Sequence, residues 1–83
     1  MSYVYVLIDP NSKEIYIGFS KDLRRRIDEH ARSVHRGWKL VYYEAYHSEI
    51  DARRREQRLK DHGNAIRQLK ERIFDSIEQT LVR

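Results

Sequence analysis

Cysteine is absent from the 83 residues, so no disulfide braces the fold and no thiolate serves as metal ligand or nucleophile. That absence fits a reducing compartment, and a cytoplasmic chain is the expectation. Proline occurs once and glycine three times, leaving no Pro/Gly-rich linker to divide the chain. No stretch approaches the ~20 apolar residues of a membrane span. No charged segment followed by a long apolar run marks a signal peptide at the N-terminus. One domain over residues 1–83 is expected, and at this length folding buries only roughly 60% of the unfolded surface, so the core is thin. What the chain does have is charge: 17 Lys and Arg against 13 Asp and Glu, a net +4. The excess suits a polyanionic partner, and it also serves as ordinary solvated helix surface.

The opening YVYVLI (3–8) is β-branched and aromatic, DPNSK (9–13) is turn-forming, and EIYIG (14–18) is a second strand, together a hairpin. Alternation puts Tyr3, Tyr5 and Leu7 on one face and Val4, Val6 and Ile8 on the other. In the second strand Ile15 and Ile17 oppose Glu14, Tyr16 and Gly18. Ser20 reads as a helix N-cap with Asp22 in the first turn. Leu23, Ile27, Ala31 and Val34 then mark a helix face that ends at Gly37. WKLVYYEAY (38–46) reads as a third strand, and Ser48 with Asp51 opens a helix that stops at Gly63. Asn64 caps a last helix whose stripe is Ile66, Leu69, Ile73, Phe74, Ile77 and Leu81. The order is ββαβαα. A right-handed crossover leaves room for strand one between the other two. The expected fold is α+β, a three-stranded antiparallel sheet of order 2-1-3 flanked by three helices.

Three features sit awkwardly in a purely structural reading. Glu56 shares a helical stripe with Ala52 and Leu59, where a carboxylate is costly unless it is paired or coordinated. Pairing with Lys60 one turn on is the plain alternative. Arg26 and His30 lie four apart, beside Ile27 and Ala31 of the buried stripe. A snorkelling arginine and a surface histidine account for them equally well. Tyr5 and Tyr16 are good strand residues; a chemical role needs nearby cations, because a phenol pKa near ~10 makes a poor base at neutral pH. The four histidines have no paired ligand spacing, and no nucleophile triad or phosphate-binding glycine loop is present.

Taken together these features form an ordered set: Y-V-Y at 3–5, Y-I-G at 16–18, D-L-R-R-R-I-D-E-H at 22–30 and A-R-R-R-E-Q-R-L-K at 52–60. With LVYYEAYHS (40–48), the set resembles the GIY-YIG nuclease superfamily, particularly its short single-domain members. The module is similar to the N-terminal nuclease domain of the repair excinuclease's incision subunit. The resemblance spans roughly residues 3 to 63. Tyr3 stands where the name-giving glycine of the first motif falls.

The resemblance implies a divalent-metal-dependent endonuclease that hydrolyses DNA phosphodiester bonds, in DNA repair or recombination. It implies catalytic roles for Tyr5, Tyr16, Arg26, His30 and Glu56. Glu56 would hold one Mg²⁺ or Mn²⁺ ion, and Tyr5 would take a proton from the attacking water. A neighbouring Arg26, Arg25 or the ion would lower the Tyr5 pKa. Lys21, Arg25 and Lys60 are the candidates for phosphate contact, and Gly18 leaves room for backbone or DNA at the strand's end. No recognition helix or arm is identifiable, so weak or structure-dependent substrate selection is expected. Two other readings remain: a non-catalytic nucleic-acid-binding module, and a small nuclease subunit that borrows recognition from a protein partner.

Overall fold

The computed structural model describes residues 1–81; the last two residues of the domain expected over 1–83 lie outside them. Strands β1 (Ser2–Ile8), β2 (Ile15–Ser20) and β3 (Lys39–Tyr46) form one antiparallel sheet in the order β2-β1-β3. The central position of β1 is as expected. Being central explains why β1 is apolar on both faces: Val4, Tyr5, Val6, Leu7 and Ile8 are all buried. In the hairpin the Asp9 carboxylate accepts from the Asn11 amide (2.9 Å) and the Ser12 hydroxyl (3.0 Å), a local turn device of short polar side chains.

Helix α1 (Leu23–His30) starts two residues later than expected. Asp22, not Ser20, is the N-cap, accepting from the Arg25 amide at 3.1 Å. The Ser20 hydroxyl is already engaged with the backbone of Asp22, donating to its carbonyl and accepting from its amide. Asp22→Ala is expected to lower stability by about 1 kcal/mol, read as a lower urea midpoint with an unchanged slope. The helix also ends early, at His30. Ser33 donates to the His30 carbonyl (3.0 Å), and successive turns follow to Trp38. Val34, placed on the buried stripe by its spacing, is therefore 90% exposed.

Helix α2 (Glu49–Asp61) is capped by Ser48. It packs Ala52 and Leu59 against Val4, Val6, Ile17 and Leu69 on one face of the sheet. Helix α1 lies over the other face, where His30 reaches Tyr5 and where Leu23 and Ile27 share a cleft with Leu40 and Tyr43. The expected last helix is two, α3 (Gly63–Arg72) and α4 (Phe74–Leu81), so the order is ββαβααα with four helices rather than three. The chain bends at Ile73 (φ −109°, ψ 26°), while hydrogen bonds from Ile73 to Leu69 and from Ile77 to Ile73 continue. The bend lets α4 reach β3 and turns Phe74 outward, to 58% exposed. At the α2/α3 junction His62 occupies the cap position of both helices. Neither Gly63 nor Asn64 is the cap; the Asn64 side-chain carbonyl accepts from Arg67 instead (3.2 Å).

A carboxylate, Glu44, points into the packed face of β3. Arg55 clamps it from α2 with two nitrogens at 3.0 Å, and the Tyr42 hydroxyl donates at 2.8 Å. Tyr46 donates to its other oxygen. Burial pushes the Glu44 pKa up, but the bonds from Arg55, Tyr46 and Tyr42 outweigh it and hold the carboxyl below its usual range. Burial, and after it the bond to Glu44, raises the Tyr46 phenol to about 12. The network ties β3 to α2 and leaves no buried side-chain polar atom unsatisfied among the described residues.

Candidate active site

The register of the hairpin builds the centre of the site. Tyr5 pairs with Gly18 across β1 and β2, and Leu7 with Tyr16, so both phenols stand on the sheet face under α1. With no side chain at Gly18, the rings of Tyr5 and Tyr16 occupy the space above it. Tyr5 is fully buried, and its hydroxyl lies 2.7 Å from Nε2 of His30, the last residue of α1. Arg26, one helical turn earlier, interacts with the hydroxyls of Tyr5 and Tyr16 and with Glu29. Tyr5, Tyr16, Arg26, His30 and Gly18 are thus brought together.

Protonation follows from this geometry. Burial raises the Tyr5 pKa more than Arg26 lowers it, so the free chain keeps this phenol protonated. Arg26 depresses it as expected, and burial outweighs that effect. Burial, then Arg26, then His35 depress the His30 pKa, so its imidazole is neutral at pH 7. Arg26 can only donate, so the Tyr5 oxygen accepts from it, and whether the phenol donates to or accepts from Nε2 of His30 follows the histidine tautomer. A histidine whose folded pKa is depressed contributes stability that is present above the unfolded value, near 6.5, and is lost as pH falls through the folded value. The melting temperature is therefore expected to drop between pH 7 and pH 5, and His30→Gln to flatten that drop; equal slopes would place the titration elsewhere. Glu44 titrates lower and lies outside this window.

Sequence reasoning missed His35. Nδ1 of His35 lies 3.0 Å from Nδ1 of His30. Its ring packs on Tyr16 (centroids 4.5 Å apart) and on Trp38 (4.8 Å). Only the turns after α1 bring it there, because a five-residue spacing shares no helix face with His30. Tyr16, Arg26, Glu29, His30 and His35 line a cleft of about 260 Å³. A larger cleft, about 510 Å³, runs along α2 beside Arg54, Arg55 and Arg58. It contains none of the tyrosine–histidine cluster.

The remaining candidates are held in ion pairs. Glu56 lies on α2; its carboxylate pairs with Lys60 at 3.2 Å and is 18% exposed. Lys21 pairs with Glu49 at 2.6 Å, and Arg25 is exposed beside Asp22 at 4.0 Å. Arg53 stacks on Phe19 of β2 (4.1 Å), so the stripe Glu49, Arg53, Glu56, Lys60 borders that edge strand. No group of three or more His, Cys, Asp or Glu able to hold a metal ion occurs among the described residues. One oxygen of Glu56 faces Lys60, and the other takes no hydrogen bond among the described residues. A single half-buried carboxylate with one open oxygen fits a hard divalent ion that keeps most of its waters.

Two phenols, an arginine and a histidine thus meet under one helix of a small α+β fold. The family model for the GIY-YIG catalytic domain matches residues 1–70, and the chain belongs to that family of nuclease domains. Comparison with curated proteins and with solved structures finds no match. No helix among the described residues is long and apolar enough to cross a membrane.

Proposed function

We propose that the chain is a cytoplasmic endonuclease that hydrolyses DNA phosphodiester bonds with one Mg²⁺ or Mn²⁺ ion, with substrate choice set by DNA structure rather than sequence, in repair or recombination. The observation that carries this is the Tyr5–His30 hydrogen bond beside Arg26, at a cleft of about 260 Å³. Arg26 is the cation for the phosphoryl oxygens, on which its forked donors gain strength as negative charge develops. Tyr5 is fully covered in the free chain, so the reaction requires Arg26 to swing from the phenol onto the phosphate. The attacking water then gives its proton to the Tyr5 oxygen while the Tyr5 proton passes to Nε2 of His30. The water oxygen bonds to phosphorus, and the leaving oxygen departs and takes a proton from solvent. Glu56 would hold the ion, which when bound supplies charge neutralisation for the phosphate and leaving oxygen. Lys21, Arg25 and Lys60 border the site as phosphate contacts once released from their ion pairs.

Purified chain is expected to nick supercoiled plasmid with Mg²⁺ and to stop on chelation. Glu56→Gln is expected to need roughly 10–100-fold more Mg²⁺ for the same rate. Nicking that is indifferent to chelation and to Glu56→Gln would remove the metal assignment.

A further inference from the structure

The phenol of Tyr5 donates to Nε2 of His30 only when the proton of His30 sits on Nδ1; in the other tautomer Nε2–H donates to the phenol oxygen and the phenol proton turns to Tyr16. Which tautomer a buried histidine adopts is set by the partner of its second nitrogen. Here that partner is not a carboxylate or a backbone carbonyl but Nδ1 of His35, at 3.0 Å. His35 is itself wedged between the rings of Tyr16 and Trp38.

We propose that His35 is a positioning residue: its Nδ1 accepts the Nδ1 proton of His30 and so fixes Nε2 of His30 as the acceptor for Tyr5. The proposal rests on reading Tyr5 and His30 as the proton-transfer pair of the nuclease. His35 lines the same cleft, and in this scheme it acts through His30. Its surroundings support the acceptor role. The charged groups in the cleft are Arg26 and Glu29 of α1, paired with each other at 3.1 Å, so neither takes the His30 Nδ1 proton. The turn after α1 offers the Ser33 hydroxyl, but that group donates to the His30 carbonyl and accepts from the His35 amide. From the sheet Tyr5 holds Nε2 of His30, and Tyr16 approaches as a ring packed against both imidazoles. Trp38 covers the far side as a wall, its ring edge-on to His35. His35 Nδ1 is the acceptor left for His30.

Two variants separate chemistry from packing. His35→Phe keeps a ring between Tyr16 and Trp38 and removes the nitrogen. His35→Asn replaces Nδ1 with a side-chain carbonyl oxygen at a similar reach. In the full chain without DNA or metal, nitrogen NMR of labelled histidine is expected to show His30 with its proton on Nδ1 in wild type and in His35→Asn. In His35→Phe the proton is expected to move to Nε2 or to exchange between the two nitrogens. In cleavage assays kcat is expected to fall on the order of 10–100-fold in His35→Phe, as for other residues that orient a site histidine. The fall should come with little change in KM, and His35→Asn should recover most of it. The inference is overturned if His30 keeps its tautomer in His35→Phe, or if wild-type His30 carries its proton on Nε2. It is equally overturned if His35→Asn cleaves as slowly as His35→Phe. Because the tautomer is read without substrate, a chain that cuts no DNA would sink the nuclease reading and leave the His35 result standing.

Discussion

Gly18→Ala is expected to destabilise the protein by about 3 kcal/mol, the upper part of the range for overpacked cores, and to abolish cleavage in the fraction that still folds. A Cβ at position 18 would overlap the Cζ and hydroxyl oxygen of Tyr5 and lie 2.9 Å from Cε2 of Tyr16. Neither obstacle is the loose end of a flexible side chain. Tyr5 is fully buried, and its hydroxyl is held by His30 at 2.7 Å. Relief therefore comes only by pushing the ring off His30 or by spreading β1 from β2. For a domain of this size the loss corresponds to a fall in melting temperature of roughly 10–20 °C, measurable by circular dichroism. Gly63→Ala is the control: nothing lies within 4 Å of a Cβ there, at the start of α3. It should leave the melting temperature unchanged or slightly raised. A Gly18→Ala protein that melts with wild type would show that Tyr5 has room to move.

Tyr5→Phe is expected to reduce single-turnover cleavage by on the order of 10²–10⁴, the range for losing a general acid or base. The ring and its packing survive, while Nε2 of His30 and the Arg26 guanidinium lose their shared oxygen. Leaving buried polar groups unpaired adds a stability cost of about 1–3 kcal/mol. Rates must therefore be compared at a temperature where both proteins are folded. Tyr16→Phe is the informative companion. Tyr16 lines the cleft directly, whereas Tyr5 lies behind it. If Tyr16→Phe is the slower of the two, then Tyr16 receives the proton of the attacking water and Tyr5 only supports it.

Much of the frame was legible in the residues because side-chain period is a local property. Alternation in 3–8 and 14–18 separated the phenol face from the aliphatic face before any pairing was known, and the sheet keeps that division. The crossover rule placed β1 at the centre. Helix ends were less legible, since a cap is decided by which of two neighbouring polar side chains is free. Ser20 was spent on the backbone of Asp22, and the cap fell to Asp22. The bend at Ile73 has no proline or glycine to announce it; it follows from α4 turning to cover β3.

The inward side chain of Glu44 shows the same limit. The structure pairs it with Arg55, eleven residues on and on another element. Position along the chain carries no information about such a partner. The same holds for the site. The sequence by itself determined the sheet, its buried central strand, and the face on which Tyr5, Tyr16 and Gly18 stand, because strand periodicity and short connections fix these. Tertiary structure alone decided that Tyr5 is sealed and protonated, that His35 rather than a carboxylate lies against His30, and that Glu44 is clamped by Arg55. Those outcomes depend on distances and desolvation between elements far apart in sequence, which set a pKa and a tautomer only after the chain has packed.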